Sequence, residues 1–267
     1  MPVTMHIDDN VAFITLARPE ALNALDVPSL RQLREHLVEF RDREDLRVCV
    51  ITGSGQKSFC TGADLKGTAT STASYPEAMF HSLEYASERG LYIRLLDLAD
   101  LNIWKPMIAA INGYCLGGGL ELALQCDLRL GSATAKFGLT EVSVASIPAV
   151  SGLHRLLKAV PSAHAMKMVL TGKPIDAAKA LEIGLISDLY EPEALAEHTH
   201  EIARQIARNG PLAVQAVKRL AKQTAHMSEA DAQQLTELVW GSLRDTNDRQ
   251  EGRKAFAEKR EPKYVGR

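Results

Sequence analysis

Two glutamates stand where a carboxylate is costly to keep. Glu121 lies inside Leu120-Glu121-Leu122-Ala123-Leu124, and Glu141 inside Phe137-Gly138-Leu139-Thr140-Glu141-Val142. Burying an ionised carboxylate without partners is strongly unfavourable, so each needs a reason to be there. A structural reason for Glu121 would be an ion pair, with Arg129 as the candidate partner. A chemical reason would be a carboxyl tuned to move a proton. Read singly, Glu141 is more simply a helix-start residue. As a pair, two carboxyls can hold different protonation states, one giving a proton and one taking it.

Glu121 follows Asn112-Gly113-Tyr114-Cys115-Leu116-Gly117-Gly118-Gly119, a strand-to-helix junction with three consecutive glycines. Glycines there let a ligand or another chain approach the backbone closely. The N–H of Gly118, at the start of the helix, could face a developing oxyanion. Packing glycines in a tight turn explain the run equally well at this point. A dinucleotide loop is a weak reading, because the spacing is not G-x-G-x-x-G and no suitable acid follows about twenty residues on in a second strand. A third segment, Ser58-Phe59-Cys60-Thr61-Gly62-Ala63-Asp64-Leu65-Lys66, reads by itself as an ordinary loop. Gly53-Ser54-Gly55-Gln56-Lys57-Ser58 lacks the glycine spacing of a phosphate loop. His198 and His200 are two apart on a helix and point to different faces, against a metal site. Ser151-Gly152-Leu153-His154 lacks the pattern of a nucleophile elbow.

Strands and helices must hold these segments. Val3–Ile7 and Val11–Leu16 alternate apolar and polar residues around Asp8-Asp9-Asn10, which predicts a hairpin. Asp26 and Pro28 open a helix with a stripe at Leu30, Leu33, Leu37 and Phe40. Val48–Ile51, Met107–Ile111 and Leu128–Leu130 read as buried strands, and Leu120–Cys126 as a helix. Residues 67–74, rich in Gly, Thr, Ala and Ser, read as a loop, and 76–98 as a long helical region. The alternation predicts an α/β core over residues 1–195. Helices at 192–208, 211–223, 228–243 and 248–258 then predict a helical extension over 196–267, with Ser228 and Asp231 marking one helix start. No internal repeat is visible.

The 267 residues are 46% hydrophobic with a net charge of −2. That is enough to build a sizeable core, and it gives no broad basic footprint for nucleic acid or an anionic membrane. Four cysteines without a CxxC pair predict reduced core thiols in a cytoplasmic protein. Residues 1–10 show no secretion-signal pattern, and no run is long enough to span a bilayer.

Together, Phe59–Leu65, Asn112–Ala123 and Phe137–Glu141 resemble the signature blocks of the crotonase (enoyl-CoA hydratase/isomerase) superfamily. Arg18-Pro19-Glu20-Ala21-Leu22-Asn23-Ala24-Leu25, Leu170–Lys173 and Ala180–Leu185 extend the resemblance over nearly the whole chain. It implies a spiral of ββα units with a C-terminal helical region that forms a trimer or a hexamer of two trimers. It implies an acyl-CoA thioester substrate, with CoA as part of the substrate and no separate cofactor or metal. The thioester oxygen would sit between the N–H groups of Ala63 and Gly118. Hydratases of the superfamily carry both glutamates, so Glu121 would activate water and Glu141 would deliver the α-proton. CoA would run past Ala21, Leu22, Asp64, Leu65 and Lys66, and Lys259 or Arg260 would reach a CoA phosphate. A thioesterase, an isomerase and a non-catalytic RNA-binding or assembly member are the alternatives. The chain departs from the pattern at Ala145, Ala149 and Ser151, where glycines are usual. Side chains there should reshape the acyl pocket toward a short or unusual acyl group, such as methylthioacryloyl-CoA, whose hydrated product can release a thiol.

Overall fold

The structure is a computed structural model. It describes residues 1–64, 76 and 80–267, except for the side chains of residues 89 and 90. The hairpin forms as its alternation requires: β1 (Val3–Asp8) pairs antiparallel with β2 (Val11–Leu16), in register from Val3 opposite Leu16 to Asp8 opposite Val11. Helix α1 (Val27–Asp42) starts where Asp26 Oδ1 accepts the N–H of Ser29 at 2.8 Å, and it buries the predicted stripe. Next come β3 (Val48–Gly53), β4 (Ser58–Cys60) and the four-residue α2 (Leu83–Ala86). After α2 the chain widens into a π turn over Ser87–Leu91 and tightens into a 3₁₀ turn over Tyr92–Leu96. The long helix expected over 76–98 is therefore broken in its described part. Gly90 within that segment weakens regular helix.

The site-bearing middle of the chain comprises β5 (Met107–Ile111), β6 (Tyr114–Leu116), α3 (Gly118–Ala123), β7 (Leu128–Ser132) and β8 (Lys136–Gly138). Then follow α4 (Gly152–Ala159), α5 (Ser162–Thr171), β9 (Ile175–Asp176), α6 (Ala177–Glu182) and β10 (Asp188–Tyr190). Four helices end the chain: α7 (Leu195–Ala207), α8 (Pro211–Thr224), α9 (Glu229–Arg244) and α10 (Asn247–Glu258). Ser228 caps α9 as the sequence indicated, its Oγ accepting the N–H of Asp231 at 3.2 Å.

The strands form two sheets. One has the order β1-β2-β3-β5-β7-β10 and is parallel apart from β1; the other is β4-β6-β8-β9, with β9 antiparallel. Three consecutive strand pairs, β3/β4, β5/β6 and β7/β8, each place their first strand in the large sheet and their second in the small one. This structural repeat, which the residue types conceal, is the spiral of ββα units that the resemblance implies. The chain climbs by one strand in both sheets per turn, so the ends of β4, β6 and β8 fall side by side.

Successive residues of β3 serve two cores. Cys49 and Ile51 join the main cluster with Leu30, Leu37, Phe59 and Leu120, while Val48 and Val50 pack with Ile108 and Leu130. Leu195, Ala203 and Ala207 of α7 cover that second face. All four cysteines are buried free thiols. Arg129 does not meet Glu121. Its guanidinium donates to the carbonyls of Leu185 at 2.6 Å and Cys126 at 3.2 Å. Among the described residues no helix is long and apolar enough to cross a membrane.

Candidate active site

The glycine run makes sense against the loop after β4. Gly117 has φ +51 and donates its N–H to Gly138 O at 2.8 Å, which turns the chain out of β6 into α3. A Cβ on Gly119 would collide with the backbone of Cys60, so only glycine lets α3 start against β4. On the facing loop, Leu25 bridges Ala63 in parallel fashion: Leu25 N donates to Gly62 O at 2.8 Å, and Asp64 N to Leu25 O at 3.0 Å. In that pattern the flanking residues make the bonds, so the N–H of Ala63 itself turns away from Leu25. A Cβ built on Gly118 would lie 3.7 Å from Ala63 N, which places the two amides side by side. The N–H of Gly118, first in its helix, lacks an intrahelical partner, and neither amide donates to another group among the described residues. Two donors side by side, without a partner among the described residues, are what an oxyanion hole requires.

Glu121 is 2% exposed. Its Oε1 accepts the N–H of Val150 at 2.7 Å and that of Gly152 at 3.0 Å. Those bonds favour the charged form, but burial outweighs them, and with help from the nearby Glu141 charge pushes the carboxyl up to about 7. Glu141 opens a 3₁₀ turn over Glu141–Val144, and its Oε1 would lie 3.3 Å from a Cβ on Gly117. Its other oxygen, Oε2, is buried with no partner, and burial raises this carboxyl too. The spiral has thus brought both carboxyls to α3: one rides on it, the other rests on its N-terminal glycine.

The sequence profile of the enoyl-CoA hydratase/isomerase family matches residues 6–267. The chain belongs to that family. It is 48% identical, over the full length of both chains, to an (E)-benzylidenesuccinyl-CoA hydratase of Thauera aromatica. It is 38% identical to a carnitinyl-CoA dehydratase of Proteus mirabilis, over 97% of this chain and 96% of the other. The crystal structure of an enoyl-CoA hydratase from Bacillus anthracis superposes over the whole of both chains with a TM-score of 0.89 at 33% identity.

Other residues singled out by this enoyl-CoA hydratase/isomerase sequence fall around the same loop. Ala21 ends a 3₁₀ turn, and Leu22 receives a 3.3 Å hydrogen bond on its carbonyl from Thr61 Oγ1. Asp64 is held by Arg18 at 2.8 Å, and Arg18 also reaches Asp26 at 3.1 Å. Leu65 and Lys66 lie outside the described residues, as does the loop expected over 67–74. Arg260 is already bound at both ends of its fork to Glu251, at 2.6 and 2.9 Å, and to Glu258 at 2.7 Å. Lys259 caps α10 in a left-handed turn.

Sequence reasoning missed the partners of Glu121. Val150 and Gly152 lie about thirty residues away, and only the retained Gly152 signalled a close approach: a Cβ there would sit 2.6 Å from Glu121 Oε1. It also assigned one role to three departures that differ. Ala145 (φ +56) and Ser151 (φ +58) take left-handed backbone, whereas Ala149 does not. Ala145 is exposed and caps the turn that begins at Glu141, while Ala149 and Ser151 line the cavity. That cavity, of about 270 Å³, is bounded by Leu83, Arg94, Asp97, Asp100, Ala149, Val150 and Ser151. It lies between the segment of Leu96, which touches Gly118, and the loop whose amides hold Glu121.

Proposed function

We propose that the chain adds water across the α,β-double bond of an acyl-CoA thioester. The observation that carries this reading is the asymmetry of the two carboxyls beside two free amides. Glu121 is pinned on one oxygen by two N–H donors, an arrangement suited to an ionised base that orients water. Glu141 keeps a buried oxygen without an acceptor or donor, an arrangement suited to holding a proton. In the reaction, Glu121 takes a proton from water as its oxygen bonds to the β-carbon. The π electrons move onto the thioester oxygen, between Ala63 N–H and Gly118 N–H, each donor contributing roughly 3–4 kcal/mol to the transition state. Glu141 then protonates the α-carbon, and the proton held by Glu121 passes to Glu141 to reset the pair, so that the product carries one added water.

The cavity wall carries Arg94, Asp97 and Asp100. Such a wall suits a substituted, polar acyl group better than a long alkyl chain. The identity to the benzylidenesuccinyl-CoA hydratase makes an aryl-substituted diacid thioester the first substrate to try. The short β-thioether enoyl thioester, methylthioacryloyl-CoA, is the second, with thiol release after hydration. The same reading proposes a cytoplasmic homotrimer or hexamer, as the family resemblance implies.

The test is a panel of enoyl-CoA thioesters, spanning crotonyl, aryl-diacid and thioether acyl groups, with loss of the enoyl-thioester absorbance, free CoA and free thiol followed separately. Hydrated product from the wild type, and loss of at least a hundredfold in kcat for both Glu121→Gln and Glu141→Gln, is the expected result. Full activity in Glu121→Gln with none in Glu141→Gln would replace hydration by double-bond isomerisation. Release of CoA without a hydrated intermediate would replace it by thioester hydrolysis.

A further inference from the structure

The loop that holds Glu121 is itself held by one cation. Arg155, on α4, donates Nη1–H to the carbonyl of Val150 at 2.6 Å. Its Nη2 lies 3.3 Å from Asp97 Oδ1. Asp97 belongs to the segment beside Gly118, and its own carbonyl is fixed by Arg34 Nη1 at 2.8 Å. A planar guanidinium with two divergent N–H groups is suited to such a bridge, and an ammonium is not. The bridge runs from the oxyanion side of the site, through Asp97, to the residue whose N–H binds Glu121 most closely.

We propose that Arg155 is a positioning residue for water activation: by gripping Val150 and Asp97 together it fixes the amides that hold Glu121 and keeps that carboxyl available in its ionised form. The inference rests on the hydratase reading for its catalytic meaning, but the Arg155–Glu121 linkage does not depend on it. The charges that act on Glu121 are Glu141, which opposes its ionisation, and Arg155, which favours it. On the strands packed against α3, Cys60 and Cys115 are fully buried thiols that burial keeps neutral. On α4, His154 and Lys158 are exposed. Arg155 is thus the one cation among the described residues of these elements that both acts on Glu121 and bonds its loop.

Removing Arg155 takes away a favourable charge and loosens Val150, and both changes push Glu121 toward its protonated form. In Arg155→Gln the acidic limb of the kcat profile should move to higher pH by about one unit. In the same variant kcat at neutral pH should fall at least tenfold, with KM little changed. Arg155→Lys should restore part of the limb position but little of kcat, because charge returns without the bridge. The same linkage is read without turnover by titrating ¹³C-labelled glutamate carboxyls by NMR, with Glu121→Gln assigning the resonance. An upward shift of the Glu121 midpoint in Arg155→Gln is expected. Should that variant fold poorly, Asp97→Asn, which leaves Arg155 in place without its anchor, should give a smaller shift in the same direction. An unmoved NMR midpoint and limb in folded protein would overturn the proposal. A moved midpoint in a protein that hydrates no enoyl-CoA would uphold the linkage and sink the hydratase reading.

Discussion

A carboxyl that is both buried and needed carries a stability cost that can be measured. Glu121 has an ordinary value of 4.5 when exposed and is pushed up to about 7 in the fold, chiefly by burial. Below the lower value both folded and unfolded chains hold the proton, and the group contributes no difference. As pH rises, the unfolded chain ionises first, so stability falls until the folded group ionises too. The full cost above neutrality is about 3 kcal/mol. Glutamine at this position does not titrate and can still accept the two amide bonds. Glu121→Gln should therefore gain thermal stability over the wild type at about pH 8 and lose most of that gain at about pH 5. Equal differences in melting temperature at both pH values would mean that Glu121 is not desolvated. At this scale the sequence was informative about which carboxyls were out of place, because an apolar setting is visible in the chain. It said nothing of what holds them. The Arg129 partner it offered was a neighbour along the chain, whereas the real donors, Val150 and Gly152, are backbone amides brought in by the spiral.

Between residues and fold, the segment 145–152 shows how a resemblance can be read one level too high. A glycine at a family position can serve the backbone, the packing or the ligand. Ala145 and Ser151 hold left-handed φ at a cost of roughly 1–2 kcal/mol each. Gly152, with no positive φ, is there because Glu121 leaves no room for a Cβ. The two kinds of position should therefore part company on substitution. Ala145→Gly should raise stability by up to about 1 kcal/mol with unchanged turnover, since it relieves strain at an exposed residue that does not line the cavity and keeps the backbone of the turn. Gly152→Ala should displace the Glu121 carboxylate and lower kcat at least a hundredfold. Chemical denaturation and kinetics on the same two proteins check both, and a catalytic defect in Ala145→Gly would refute the assignment. The elements themselves were legible where an apolar stripe or a cap was present, as in α1 and α9. They failed over 76–98, where helix-forming composition hid the π and 3₁₀ turns that bring Leu96 to Gly118.

For the whole molecule, the spiral was legible through the family resemblance and not through the residue pattern, because it repeats strand direction and sheet membership, not residue type. What it leaves unburied is equally telling. Helix α9 has no buried residue, although it carries Leu238, 73% exposed, and Trp240, 58% exposed. Phe256 on α10 is 89% exposed. A second apolar surface, with Val144, Ile147, Leu157 and Leu170 exposed, lies on the core side around α4 and α5. Large apolar side chains exposed on two separate parts of a fold are candidates for contacts between copies. The two surfaces differ, so one copy joining another through them makes a head-to-tail contact, which closes into a ring when the rotation permits. That is the geometry a trimer requires. Light scattering should give a mass that is a multiple of three chains. Asp at Trp240, or at both Ile147 and Leu170, should each give a monomer, because every contact in the ring needs one surface of each kind. Mixing the two variants restores a single good contact, core surface of the first against helical surface of the second, and should stop at a heterodimer. A wild-type monomer would rule out the ring, and a mixture that rebuilt the full assembly would show that the subunits meet through like surfaces instead.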